Sequence, residues 1–455
     1  MVLPFSPYAV AMTEAGKMSR IAFLEGDRNT EIEALTTIIQ YSPWRGDIWL
    51  RIGRLQLDQG YYSESIQALD KAGNLGELST ESMLWLAEAL ILNGETDRAR
   101  DVLRQFSSKS EVDPFIFLQA AQMQRSLNDT YGALATLLKA YEVDPLNGEV
   151  NYQTGLQLSA TEPEQALPFL QRAAEQNSDR LGICETLIHM IENSSSEESE
   201  SERFVVIGQT LSTYSEWDVA QRAFQKAVEL DTQNGIAWAL LAEAAQQNGE
   251  DGTQYILIAR DLAPDAELVN GLTGLYYRRQ GKSELAMQYL QRALEINPDA
   301  LVWAIEIGNT YSEMGDLASA LEQYKAATEI DESDWMPWRA LAAFCVTRNY
   351  ELEEVGLPAA RQALRLNDQS PALMDLLGTA LLMTNDYDEA LYYFKQADAI
   401  DPYQSAILIH MGQLYLAMGD RDQGIEYLQQ ALDYARDNRL REMARRLLLE
   451  NGADG

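Results

Sequence analysis

Histidine and cysteine are nearly missing from these 455 residues, which hold two of each: His189, His410, Cys184 and Cys345. Two thiols cannot build a disulfide framework. Both lie among apolar residues in stretches that read as helix, so buried thiols are expected, not metal ligands or nucleophiles. His189-Met190-Ile191-Glu192 offers two ligands one turn apart, but His410 is far along the chain and no third ligand joins them. With two histidines and no Gly-x-Ser-x-Gly element, nucleophilic triads have no support. Basic residues are scarce too: 35 Lys and Arg face 70 Asp and Glu, a formal net charge of −35. That surface repels phosphate backbones and anionic lipid, which disfavours nucleic acid and membrane surfaces and favours basic partners. Carboxylates are so abundant that a close pair carries no catalytic message. No apolar run approaches a membrane span. The start does not read as a signal peptide, because the first basic residue is Lys17 and Pro4 and Pro7 interrupt the apolar stretch. A cytoplasmic, reducing location is the expectation.

Three further fragments fall away on inspection. Gly281-Lys282-Ser283 ends like a phosphate-binding loop, but Tyr276 stands where the upstream glycine belongs and a helix precedes it, so a turn between helices is expected. Asn128-Asp129-Thr130 and Asn193-Ser194-Ser195 match the glycosylation acceptor pattern, which is idle in the cytoplasm. No cofactor, metal or catalytic residue is expected.

Repetition is what the chain has in quantity. The block Ala293 to Pro298, Ala-Leu-Glu-Ile-Asn-Pro, returns in variants at Ala140 to Pro145, Ala227 to Thr232, Ala327 to Glu332, Ala363 to Asp368 and Ala397 to Pro402. The spacing clusters near 34 residues, and such a period marks units that bury their apolar faces only against neighbours. Little chain is left over for a catalytic domain. In the clearest unit, 267–300, Gly274, Tyr277, Gly281, Ala286, Leu290, Ala293 and Pro298 hold positions 8, 11, 15, 20, 24, 27 and 32. Gly308, Tyr311, Gly315, Ala320, Tyr324 and Ala327 repeat that register in 301–334.

Each position has a physical reason. Positions 4, 7, 8 and 11 share one helical face, as do 20, 24 and 27 on a second helix. Small residues at 8 and 20 let the two backbones approach. Glycine at 15 suits the left-handed residue that ends the first helix. Proline at 32 stops the second, since a helix interior accepts neither its ring nor its missing N–H. One helical hairpin per repeat follows.

This pattern resembles the tetratricopeptide repeat family, and Trp238 and Trp338 match its aromatic at position 4. The resemblance implies an all-α fold, a right-handed α-solenoid of about twelve antiparallel helix hairpins with a C-terminal capping helix. The frame places an N-terminal segment at 1–11 and about five repeats over 12–180. About seven more cover 201–438, with the capping helix and tail at 439–455. Between the arrays, 181–200 reads as an unpaired helix carrying Leu181, Cys184, Ile188 and Ile191. A Ser/Glu run over 193–200 follows, too polar to offset its ordering entropy and expected to be a flexible loop. On the last helix Leu440, Met443, Ala444, Leu447 and Leu448 form one apolar stripe, with Arg439, Arg441, Arg445 and Arg446 on the other face.

In this family the first helices of successive hairpins line a concave surface, largely through positions 2, 5, 9 and 12. Carried over, position 5 gives Leu50, Leu84, Leu118, Tyr152, Ile305, Arg339 and Ile409. Position 9 gives Arg54, Glu88, Gln122, Leu275, Asn309 and Gln413, and position 12 gives Arg125 and Arg278. Leu50, Leu84 and Leu118 form an apolar row, a partner site unless tight winding of the array covers them. Some members clamp a terminal carboxylate with Lys at 5 and Asn at 9; Asn309 here has Ile305 at position 5, so that clamp is not supported. The resemblance implies a non-enzymatic scaffold or adaptor binding a protein or peptide with apolar anchors and basic flanks. A substrate-recruiting or regulatory subunit of an enzyme complex is the alternative, and a structural spacer the third.

Overall fold

In the computed structural model, which describes residues 7–109, 113–176, 180–193, 199–435 and 437–453 (7–9 as backbone only), the 34-residue frame becomes helical hairpins. Among the described residues there is no strand. The chain divides into two units, Met1–Asp251 and Gly252–Gly455.

In the first unit α1 (Pro7–Glu25) pairs with α2 (Arg28–Tyr41), and α3 (Gly46–Asp58) with α4 (Tyr62–Asn74). The third hairpin is α5 (Thr80–Leu92) with α6 (Thr96–Ser107), and the fourth α7 (Pro114–Ser126) with α8 (Thr130–Val143). The fifth is α9 (Gly148–Ser159) with α10 (Pro163–Gln176). The lone α11 (Leu181–Asn193) then packs on α10, burying Ile183, Cys184, Leu187 and Ile191. The sixth hairpin is α12 (Glu200–Thr213) with α13 (Trp217–Leu230), and α14 (Gly235–Gln247) ends the unit.

The second unit begins with α15 (Thr253–Leu262). Pairs follow: α16 (Glu267–Arg279) with α17 (Ser283–Ile296), and α18 (Leu301–Met314) with α19 (Leu317–Ile330). Next, α20 (Trp335–Arg348) pairs with α21 (Leu357–Leu366); the unit 335–370 runs two residues beyond the 34-residue frame, and a π-helical segment, Leu352–Gly356, takes up the surplus. The last pairs are α22 (Pro371–Met383) with α23 (Tyr387–Ile400) and α24 (Ser405–Ala417) with α25 (Arg421–Tyr434). The closing α26 (Asn438–Glu450) buries Ala444 and Leu448, while Arg445 pairs with Glu442 at 2.7 Å on its outer face.

Position 15 shows how the sequence makes the turn. Gly26, Gly60, Gly94, Gly249, Gly281, Gly315 and Gly419 have positive φ there, as do Asn128, Asn349 and Asn385. Glycine has no Cβ to clash and asparagine tolerates the left-handed region best of the rest. Ser215, at φ 62°, is the one position-15 residue among these turns that is neither. The next residue caps the second helix in several copies: Asp27, Asp129, Asp316 and Asp420 each accept a hydrogen bond from a backbone N–H of the first turn.

Positions 8 and 24 set the distance between the two helices. A Cβ at Gly274 would lie 2.6 Å from Leu290, at Gly208 2.5 Å from the Phe224 ring and at Gly378 2.6 Å from the Phe394 ring. The aromatic residues at position 24 (Phe224, Tyr324 and Phe394) all face glycine. In hairpins three and four position 8 is alanine, Ala87 and Ala121, position 24 is the smaller Leu103 or Leu137, and all four are buried.

Of the expected Ser/Glu loop, residues 194–198 lie outside the described residues. Its last two residues are not loop: Ser199 caps α12 in a reciprocal bond with Glu202, and Glu200 is already helical. Both cysteines are buried, and burial pushes each thiol up to about 11, so neither is a reactive thiolate.

Candidate protein-binding groove

The concave side of hairpins two to four is built by α3, α5 and α7. Pro114 starts α7 where a missing N–H costs nothing, and Asp113 caps it by accepting from the Phe115 amide at 2.8 Å. Successive first helices then leave an open cleft of about 890 Å³ lined by Arg54, Glu81, Leu84, Trp85, Glu88, Phe115, Gln119 and Gln122, among others. A second cleft of about 590 Å³ shares Phe115, Gln119 and Gln122 and adds Leu118, Gln153, Arg180 and Arg125. Phe115 lies in both and is 64% exposed. A large aromatic left so open among polar neighbours marks a contact surface.

Charge in the first cleft is held in place. The Arg54 guanidinium lies over the Trp85 ring, 5.3 Å from its centroid, and pairs with Asp58 at 3.1 Å. With that cation answered, Glu81, Glu88 and Asp113 leave the rim acidic.

The expected groove residues separate into three groups. Leu84, Arg54, Glu88 and Gln122 meet in the first cleft, and Leu118, Gln122 and Arg125 in the second. In the second unit Arg278, Ile305, Asn309 and Arg339 line a smaller cleft of about 360 Å³. There Arg278 is paired with Glu306, the Asn309 carbonyl accepts from the Tyr324 hydroxyl, and Arg339 lies over the Trp335 ring. Leu275 and Gln413 are half-buried and line none of these clefts.

Two positions depart from the family pattern because the chain covers itself. Tyr152 is 1% exposed, and its hydroxyl donates to Glu216 at 3.0 Å. Ile409 is buried in the cluster with Leu428, Ala444 and Leu448, where the capping helix packs. The leucine row is also less open than the pattern implied: Leu84 is 3% exposed and Leu50 and Leu118 pack against the core of their unit, since neighbouring hairpins close over them. Phe115, Glu81, Trp85 and Gln119 were not singled out from the sequence. Phe115 and Glu81 stand at position 2 of the frame and were within reach of it; Trp85 and Gln119 stand at position 6, which the family pattern does not flag.

Profiles of the tetratricopeptide repeat match residues 50–108, 271–300, 305–334, 354–405 and 381–447. The chain is a tetratricopeptide-repeat protein. It is 23% identical over 161 residues to BBSome complex member BBS4 of Bos taurus, covering 35% of this chain and 30% of that protein. It is 22% identical over 228 residues to anaphase-promoting complex subunit 3 of Schizosaccharomyces pombe, covering 50% of this chain and 29% of that one. Among solved structures it is similar to yeast Tom70, at 13% identity and a TM-score of 0.46, over 97% of this chain and 95% of that one. The repeats thus match about 30% of the length of these curated relatives. Among the described residues no helix is long and apolar enough to cross a membrane.

Proposed function

We propose that this repeat protein is a non-enzymatic scaffold or adaptor that binds a protein or peptide in the concave cleft of hairpins two to four. The observation that carries the reading is the convergence of exposed Phe115 and Leu92 with Trp85 and Gln122 under an acidic rim of Glu81, Glu88 and Asp113. Aromatic and aliphatic surface takes apolar anchors, and the carboxylates favour basic flanks on the same partner. Nucleic acid and membrane insertion do not suit this surface. Two buried, unpaired thiols suit a reducing compartment, and a cytoplasmic location is part of the reading. The repeat arrays at 12–180 and 201–438 remain our division of the chain by register.

A second reading has its own support. Two relatives are named as members of multi-protein complexes, so a recruiting or regulatory subunit of an enzyme complex fits the same cleft. The test is affinity co-purification from the native source with wild type and a Phe115→Ser, Gln122→Ser variant. Phe115 is already exposed, so the variant should fold normally. Covering a phenylalanine is worth about 1.5–3 kcal/mol, so partner recovery should fall roughly tenfold or more. A catalytic chain among the lost partners favours the second reading. Undiminished recovery with a folded variant rejects the cleft, and no partner at all leaves the spacer.

A further inference from the structure

In a repeat array each hairpin touches its neighbours in sequence. In the first unit the fourth hairpin also touches residues far along the chain, among them Glu250, which accepts from Asn128 at 3.1 Å. Arg125, on the concave side of α7, forks onto Asp218 at the start of α13: Nε donates to Oδ2 at 3.0 Å and Nη2 to Oδ1 at 2.7 Å. The same Nη2 reaches Glu216 at 3.0 Å, and the Tyr152 hydroxyl donates to the other Glu216 oxygen at 3.0 Å. Gln153 steadies the guanidinium by accepting from Nη1 at 2.9 Å. Helix α13 thus packs on α9, over Tyr152 at position 5, and its first turn reaches Arg125 at position 12 of α7.

We infer that the concave face of the fourth and fifth hairpins is a receptor for an acidic segment, held here by this chain's own Glu216-Trp217-Asp218, and that an acidic segment of a partner protein is the ligand that displaces it. The two sites share the fourth hairpin and meet at Phe115, Gln119 and Gln122, but the inference rests on the self-contact of Arg125 and Tyr152 with Glu216 and Asp218, which the apolar cleft does not use.

Three features separate this contact from an ordinary structural ion pair. Glu216 occupies the frame position where Asp27, Asp129, Asp316 and Asp420 cap their own helices. Like Glu95 and Asp386 at that position its side chain makes no cap, but it is spent on distant residues, Arg125 and Tyr152. The turn that delivers it runs through Ser215 at φ 62°, a left-handed conformation costly for serine. The contact is also not sealed: the side chains of Arg125, Glu216 and Asp218 are 17%, 20% and 31% exposed, so a competing carboxylate has a way in. A fork of Arg125 onto a planar carboxylate is the geometry by which arginine reads acidic motifs. Arg180, 43% exposed, stacked 4.6 Å from the Tyr152 ring centroid and paired with Glu149 at 3.8 Å, is a second cation beside it in a chain that is otherwise strongly acidic.

A tethered ligand acts at an effective concentration in the millimolar range. A free peptide of about 100 μM affinity would therefore bind wild type roughly tenfold more weakly than a receptor freed of its own segment. The probe is a fluorescein-labelled peptide of residues 212–221, followed by fluorescence anisotropy. The Glu216→Gln, Asp218→Asn protein should bind it about tenfold more tightly than wild type. Adding Arg125→Met to that variant should abolish binding, and a peptide with Gln and Asn at the two acidic positions should bind neither protein. Equal binding to wild type and variant, or none to either, overturns the inference. If the variant loses its helical circular dichroism, hydrogen exchange on wild type decides. Excess acidic peptide should speed exchange of the amides of 216–222 and the amide-substituted peptide should not, whereas no change with either overturns it.

Discussion

Phe394→Ala should cost the second unit about 3–5 kcal/mol, read as the loss of unfolding free energy in urea by far-UV circular dichroism. The ring is fully buried and meets the bare backbone of Gly378, so the hole left behind has a rigid wall that cannot close. The same geometry makes a second result possible. Gly378→Ala alone would drive a Cβ to 2.6 Å from the ring, an overpacking cost of about 1–3 kcal/mol, partly offset by alanine's better helix propensity. Combining Gly378→Ala with Phe394→Leu reproduces the Ala–Leu pairs of hairpins three and four. That double variant should lose less than its two single changes added together, by about 1 kcal/mol. Additive losses would mean that positions 8 and 24 do not set the spacing of the two helices.

Arg125→Met should destabilise the first unit by about 3 kcal/mol, because it leaves Glu216 and Asp218 side by side, partly desolvated and without their cation. Burial by itself disfavours the charged guanidinium; its two carboxylates more than offset that and hold Arg125 above the ordinary arginine range. The effect should be local, with faster hydrogen exchange in α7, α9 and the first turn of α13. Converting Glu216 and Asp218 to Gln and Asn in the Arg125→Met background should recover part of the loss, since the stranded like charges are gone. A variant as stable as wild type would mean the contact adds nothing to the fold.

The hairpins were legible because each depends on local chemistry that recurs: Gly315 where φ must be positive, Ala293 where two helices touch, Pro298 where a helix must stop. The frame also located the two-residue surplus in 335–370, which the structure absorbs as the π-helical Leu352–Gly356 segment. The groove was only partly legible. Position 5 told that Leu84 and Tyr152 face inward along their helices, but not that neighbouring hairpins and α13 would cover them. That depends on contacts between residues some ninety apart, such as Arg125 with Glu216 and Asp218, which no local period encodes. Phe115 was within reach of the same frame, since it stands at position 2, but the residues at positions 5, 9 and 12 do not include it.

The most direct measurement of partner binding in the cleft is site-specific photo-crosslinking in the native source. A photoreactive residue replaces Gln119, exposed in the cleft of hairpins two to four, and in a parallel protein Gln105, exposed on the outer helix α6. Gln119 should label a partner protein that Gln105 does not, and Phe115→Ser should remove that label. Labelling from Gln105 with none from Gln119 would place the partner on the convex surface and contradict the groove.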